Sequence, residues 1–168
     1  MKPVLVLVPG LGADREAWRH QIDHLADIAE IRVVDLRPCA SRAEMATVVL
    51  AAAREPFALA GQSMGGWVAQ YAAAQAPERV NRLALLNTWG RPDPAFNDVQ
   101  RQAIAEIRAG RFEETLDAHL PRVLHPSRLS DTQLVSALKT MQRRAGPDVF
   151  IRHIQAMVDD YDSRAACR

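Results

Sequence analysis

Cysteine is scarce in this 168-residue chain: the two present, Cys39 and Cys167, are far apart and form no C-x-x-C. That excludes a disulfide framework and a cysteine zinc site, and a reducing cytoplasm is the expected compartment. Charge of one sign is also lacking. Basic residues number 21 and acidic residues 20, a net charge of +1, so no long-range field gathers nucleic acid or an anionic membrane. Long apolar runs are missing too. After Met1-Lys2-Pro3 only Val4 to Val8 is continuously apolar, too short for a signal peptide, and nothing approaches a membrane span. No repeat or low-complexity tract is visible, and no spacing implies a metal or an organic cofactor. What remains, 48% hydrophobic and 24% charged, is a globule of single-domain size with one substantial core.

Apolar patterning sets out the elements. Val4 to Val8, rich in β-branched residues, reads as a strand buried on both faces and stops at Pro9-Gly10-Leu11-Gly12. A helix follows from about Asp14 to Asp27 with Trp18, Ile22 and Leu25 on one face; then a strand, Ile31 to Leu36. The next helix runs from Ser41 to Arg54, with Ser41 and Glu44 in a capping-box spacing. Phe57 to Ala60 is the third strand, Trp67 to Ala76 a helix, and Asn81 to Asn87 the fourth strand. Four alternations of strand and helix predict a parallel β-sheet with helices on both faces.

The pattern changes at Arg91-Pro92-Asp93-Pro94. Beyond it the sequence predicts only amphipathic helices, near 97–109, 112–120, 131–145 and 148–161, divided at Gly110, Pro121, Pro126 and Pro147. Their stripes include Phe112, Leu116 and Leu120, and Phe150, Ile154, Met157 and Tyr161. Residues 1–90 thus read as an α/β core and 91–168 as a helical layer packed on it.

The densest set of constraints is Gly61-Gln62-Ser63-Met64-Gly65-Gly66, a G-x-S-x-G between a strand and a helix. In such a corner the serine takes a strained conformation, and Gly61 and Gly65 leave room where a Cβ would collide. The hydroxyl of Ser63 then stands at a helix amino terminus, where free amides and the dipole favour developing negative charge. Either this is a nucleophile, or it is a glycine-rich turn with a serine N-cap.

These residues resemble the nucleophile elbow of the α/β-hydrolase family, which commonly reads Gly-x-Ser-Met-Gly-Gly. The resemblance implies a serine hydrolase acting on a carboxylic ester, thioester or lactone of a small acyl group, with a helical cap over the site. It implies an oxyanion hole from the backbone N–H of Met64 and of Leu11, the latter in the Pro9-Gly10-Leu11-Gly12 loop where relatives usually begin His-Gly. As a bare turn that loop is equally regular, and a dinucleotide fingerprint fails because Arg15 stands at the third glycine position.

In the family the triad acid and histidine follow two further strands beyond the cap. No such strands occur before Arg168, so the resemblance leads to the expectation of a truncated chain with an incomplete triad. None of the five histidines has motif support. His20 and His24 are one turn apart and read as a solvated helix face. His119 shares the face of Phe112, Leu116 and Leu120: it either looks down on Ser63 as part of the substrate pocket or is a satisfied, partly buried histidine. His125 reads as a loop residue, and His153 borders an apolar stripe. Asn87, Asp93 and Asp35 are weak candidates for an orienting group. Trp89 and the Met64 side chain read either as pocket walls or as core.

The resemblance also implies the strand order second, first, third, fourth. That leaves Arg82 to Asn87 as an edge whose uncharged Leu83-Ala84-Leu85-Leu86 exposes backbone donors and acceptors. A second copy, a complementing chain or a rearranged cap is expected to cover it. Two other functions stay open: a catalytically incompetent binding or assembly module, and an acyl transferase or lyase on the same scaffold.

Overall fold

The computed structural model describes residues 2–91, 94–160 and 162. Cys167, Tyr161, Pro92 and Asp93 from the sequence reading lie outside them. Four parallel strands, β1 (Val4–Val8), β2 (Glu30–Val33), β3 (Phe57–Gln62) and β4 (Val80–Leu86), form one sheet in the order β2-β1-β3-β4. The connections contain α1 (Arg19–Leu25), α2 (Arg42–Ala51) and α3 (Met64–Gln75); α4 (Pro94–Arg108), α5 (Phe112–Val123), α6 (Thr132–Ala145) and α7 (Pro147–Asp159) follow.

β1 shows why its uninterrupted apolar run is needed. Val4, Val6 and Val8 face one cluster with Met45 and Val49 of α2 and Trp67 and Val68 of α3. Leu7 and its neighbour Leu5 face the opposite side, against Trp18 and Ile22. Each side chain fully removed from water this way contributes about 1.5–3 kcal/mol, so a polar residue anywhere in β1 would cost one layer or the other.

Boundaries moved where local hydrogen bonding outweighed periodicity. The segment after Gly12 is a 3-10 turn, Arg15–Trp18, capped by Asp14, before α1 begins. β2 ends at Val33 rather than Leu36, because Asp35 turns back to bond the N–H and guanidinium of Arg37. β3 continues through Gly61 and Gln62, paired with Leu85 and Leu86. α5 runs through Pro121 into Val123; in the last turn a proline removes one hydrogen bond only. Ser41 caps α2 as expected, while Glu44 returns its bond to the N–H of Ala40.

The later helices join the main core through Ile104, Ile107, Leu116, Phe150, Ile154 and Met157. Surface ion pairs such as Arg143 with Glu113 and Lys139 with Asp117 link α6 to α5; each is worth about 0–1 kcal/mol, so burial dominates. Arg42 is an exception among the charges. It is buried, donates to the carbonyl of Trp67 at 2.7 Å and lies over the rings of Trp67 and Tyr71. There it joins α2 to α3, and Asp160 at the end of α7 is 3.7 Å away.

His153 on α7 is buried, with Nε2 at 3.0 Å from the carbonyl oxygen of Leu36. The bond requires Nε2 to carry a proton, and Nδ1 has no partner among the described residues. Burial, first, and then Arg152 push its pKa below the ordinary imidazole value, against the raising effect of the Leu36 and Cys39 carbonyls and Asp35. The unfolded chain therefore takes up a proton before the folded one does, and stability falls as pH drops below about 6.5. Between pH 7.5 and 5.5 the wild type is expected to lose up to about 1.4 kcal/mol more than His153→Gln, measured by urea denaturation at both pH values. Equal losses would remove the buried neutral histidine from the account.

β4 is the exposed edge. Leu83, Leu85 and Leu86 remain 42%, 43% and 40% accessible, and no charge interrupts that run.

Candidate active site

β3 and α3 meet at Ser63 with no linker between them. Ser63 has φ 54° and ψ −121°, a region that costs a non-glycine residue about 1–3 kcal/mol. The surroundings hold it there. Its N–H donates to Leu86 at 3.0 Å, and its carbonyl accepts from Gly66, Trp67 and the hydroxyl of Thr88, the last at 2.8 Å. Asn87, following β4, also has positive φ, 45°.

Three glycines make the corner possible. A Cβ on Gly61 would lie 2.6 Å from the carbonyl carbon of Gly65, and one on Gly65 would lie 2.6 Å from the oxygen of Pro9 and closer still to that of Val8. A Cβ on Gly10 would lie 3.4 Å from Cβ of Ser63, so the loop after β1 presses directly on the elbow. Gly12, at φ 64°, turns the chain where a side chain would enter the ring of Phe150.

The amides of Leu11 and Met64 have no acceptor among the described residues. Both stand near the amino end of α3, where uncompensated N–H groups concentrate positive potential. The hydroxyl of Ser63 likewise has no hydrogen-bond partner among the described residues. It opens into a cavity of about 690 Å³ whose walls include Leu11, Trp89, Phe96, Val99, Phe150 and Ile154. Trp89 stacks obliquely on Phe96, with ring centroids 5.3 Å apart, and its carbonyl is held by Gln70 of α3.

Across the cavity α5 presents Thr115, Ala118, His119, Arg122 and Val123. His119 is partly buried and, contrary to the reading of it as a satisfied histidine, has no hydrogen-bond partner among the described residues. Burial, and secondarily Arg122, hold its imidazole below the usual range, so it is neutral at pH 7. The acidic wall is Glu106 and Glu114; Arg111 bonds Glu106 and lowers its pKa. What the site offers chemically is a hydroxyl and two donor amides open to a largely apolar chamber.

Other candidates lie elsewhere. The side chain of Met64 is core, not pocket wall. Asp35 is tied to Arg37 outside the cavity. His20 and His24 are exposed, their rings stacked 4.0 Å apart, and His125 bonds Ser127 in a loop. Among the described residues no three His, Cys, Asp or Glu side chains converge as metal ligands, and no helix is long and apolar enough to cross a membrane. Sequence reasoning missed Phe150, Glu106, Glu114 and Arg122. The signal for Arg122 was its spacing of three residues from His119 on a helical stripe.

The sequence profile described as alpha/beta hydrolase fold matches residues 3–145. A pimeloyl-[acyl-carrier protein] methyl ester esterase of Pectobacterium carotovorum is 39% identical over 87 residues, 47% of this chain and 34% of that protein. The biotin biosynthesis bifunctional protein BioHC of Cellvibrio japonicus is 29% identical over 98% of this chain and 35% of its own length. The chain thus spans about a third of the length of these curated relatives. Among solved structures, the enol-lactonase of Burkholderia xenovorans superposes with TM-score 0.86 at 21% identity, covering 99% of this chain and 68% of that one. A hydrolase from Pseudomonas aeruginosa gives 0.83 at 24% identity, over 98% of this chain and 66% of the other. At those identities the structural likeness speaks for the fold alone.

Proposed function

The chain belongs to the alpha/beta hydrolase fold family, and from that premise we propose that it is a serine hydrolase for a carboxylic ester, thioester or lactone of a small acyl group. Ser63 is the nucleophile. The amides of Leu11 and Met64 hold the oxyanion of the tetrahedral intermediate, and Gly10, Gly61 and Gly65 let the backbone approach closely enough to form that site. Trp89 and His119 wall the substrate pocket, and residues 91–168 act as the cap over the 1–90 core. The observation that carries the reading is the positive-φ serine at a strand-to-helix corner, open to a cavity and flanked by two unsatisfied amides. Esterases among the relatives support the ester class.

Attack requires that the serine proton go to a base. Among the described residues no base is hydrogen-bonded to the hydroxyl of Ser63, so the described site is proposed to react with activated acyl or phosphonyl reagents and to turn over slowly. That same observation favours the second reading, a binding or assembly module that retains the scaffold. A fluorophosphonate probe with peptide mapping separates them: a covalent adduct on Ser63 supports the hydrolase, and an unlabelled chain supports the module.

The bare edge of β4 belongs to this reading as well. A second copy or a complementing chain is proposed to pair with it along the 82–87 edge, because the uncharged run Leu83-Ala84-Leu85-Leu86 is a template for strand addition. Sedimentation at increasing concentration should show association that Leu85→Lys weakens. A wild type that stays monomeric throughout and captures no strand would remove the proposal.

A further inference from the structure

The basic side chains of the helical layer are mostly committed. Arg101 pairs with Asp98, Arg111 with Glu106, Arg128 with Asp131, Arg143 with Glu113 and Arg144 with Asp14. Arg122 makes neither an ion pair nor a hydrogen bond among the described residues, and it is the sole cation among those lining the Ser63 cavity. A cation in the last turn of α5 complements the helix dipole for about 0.3–1 kcal/mol. That accounts for its place along the helix but not for the face it occupies. Thr115, Ala118, His119, Arg122 and Val123 follow one helical stripe, and all of it lines the cavity.

The acidic end of the same chamber lies apart from Arg122. Glu114 is two turns back on α5, about 12 Å along the axis, and both Glu114 and Glu106 lie near Arg111. At the other end of the stripe the exposed guanidinium of Arg122, without an ion-pair partner among the described residues, stands one turn from the partly buried, unbonded imidazole of His119, in a cavity whose walls also include Trp89, Phe96 and Val99.

Building on the hydrolase reading of this site, we propose that its substrate is an acyl ester whose chain carries an anionic group, carboxylate or phosphate, at the end remote from the reacting carbonyl. The guanidinium of Arg122 binds that anion in forked hydrogen bonds, His119 donates one more, and the chain between lies along the apolar wall.

Isothermal titration of the intact chain with three methyl esters of matched length tests this without requiring turnover: one ends in carboxylate, one in phosphonate and one in methyl. At least one anionic ester is expected to bind about 10-fold or more tightly than the uncharged one. The stronger of the two identifies the anion. Arg122→Gln should erase the preference, Arg122→Lys should keep part of it, and added salt should weaken only the anionic ligands. Equal binding of all three, binding of none at millimolar concentration, or a preference that survives in Arg122→Gln overturns the proposal. Fluorophosphonate labelling of the wild type reports the other reading separately. An unlabelled chain that prefers the anion loses the hydrolase and keeps the anion site; a labelled chain without the preference does the reverse.

Discussion

Ser63→Ala is expected to reduce fluorophosphonate labelling at least about 100-fold while changing the unfolding free energy from urea denaturation by less than about 0.5 kcal/mol. The two outcomes separate because of how the residue is held. Everything that fixes the corner is backbone: the N–H to Leu86, and the carbonyl to Gly66, Trp67 and Thr88. The side-chain oxygen has no partner among the described residues, so its removal breaks no internal hydrogen bond. Alanine keeps a Cβ and therefore the same cost at φ 54°. Activity carried by a group that stability does not use is what a nucleophile should show. Labelling that persisted in the alanine variant, mapped to another residue, would end the assignment of Ser63.

Gly65→Ala has the largest expected effect on folding, about 3–5 kcal/mol or more, enough to unfold a protein of ordinary stability under mild conditions. Helix propensity alone argues the opposite, since alanine in place of glycine gains about 0.5–1 kcal/mol. Sterics decide. The new Cβ would meet the carbonyl groups of Val8 and Pro9 at separations real Cβ atoms do not show, and both neighbours are backbone. Val8 belongs to β1, held between β2 and β3, so α3 must retreat and take the amide of Met64 with it. Gly90→Ala is the control. Its Cβ would sit 3.6 Å from the side-chain oxygen of Gln70, an ordinary contact, and stability should change by no more than about 0.5 kcal/mol. Urea denaturation of both variants is the measurement. A Gly65→Ala protein as stable as the control would mean that the loop after β1 and α3 are not in contact.

Much of this is legible in the sequence. The continuous apolar run of Val4 to Val8 marks a strand covered on both faces because two layers each take alternate residues of it. Strand, G-x-S-x-G and helix at 57–75 mark the corner because each piece is a local pattern with one geometry. The edge character of β4 followed from the resemblance in strand order. Boundaries were less secure at Val33 and Pro121, where one side-chain bond or one tolerated lost hydrogen bond outweighs a periodic trend.

The sequence by itself thus determined the elements, their order and the identity of the strained serine, since these depend on residues close together along the chain. Only the tertiary structure decided which faces meet: that the Met64 side chain is core while its amide is unspent, that Arg42 is buried against two rings, and that Arg122 lines the same cavity as Ser63. Periodicity states that a helix has an apolar or polar stripe. What lies opposite that stripe, and hence whether a charge there finds a partner, is set by chain segments far removed in sequence.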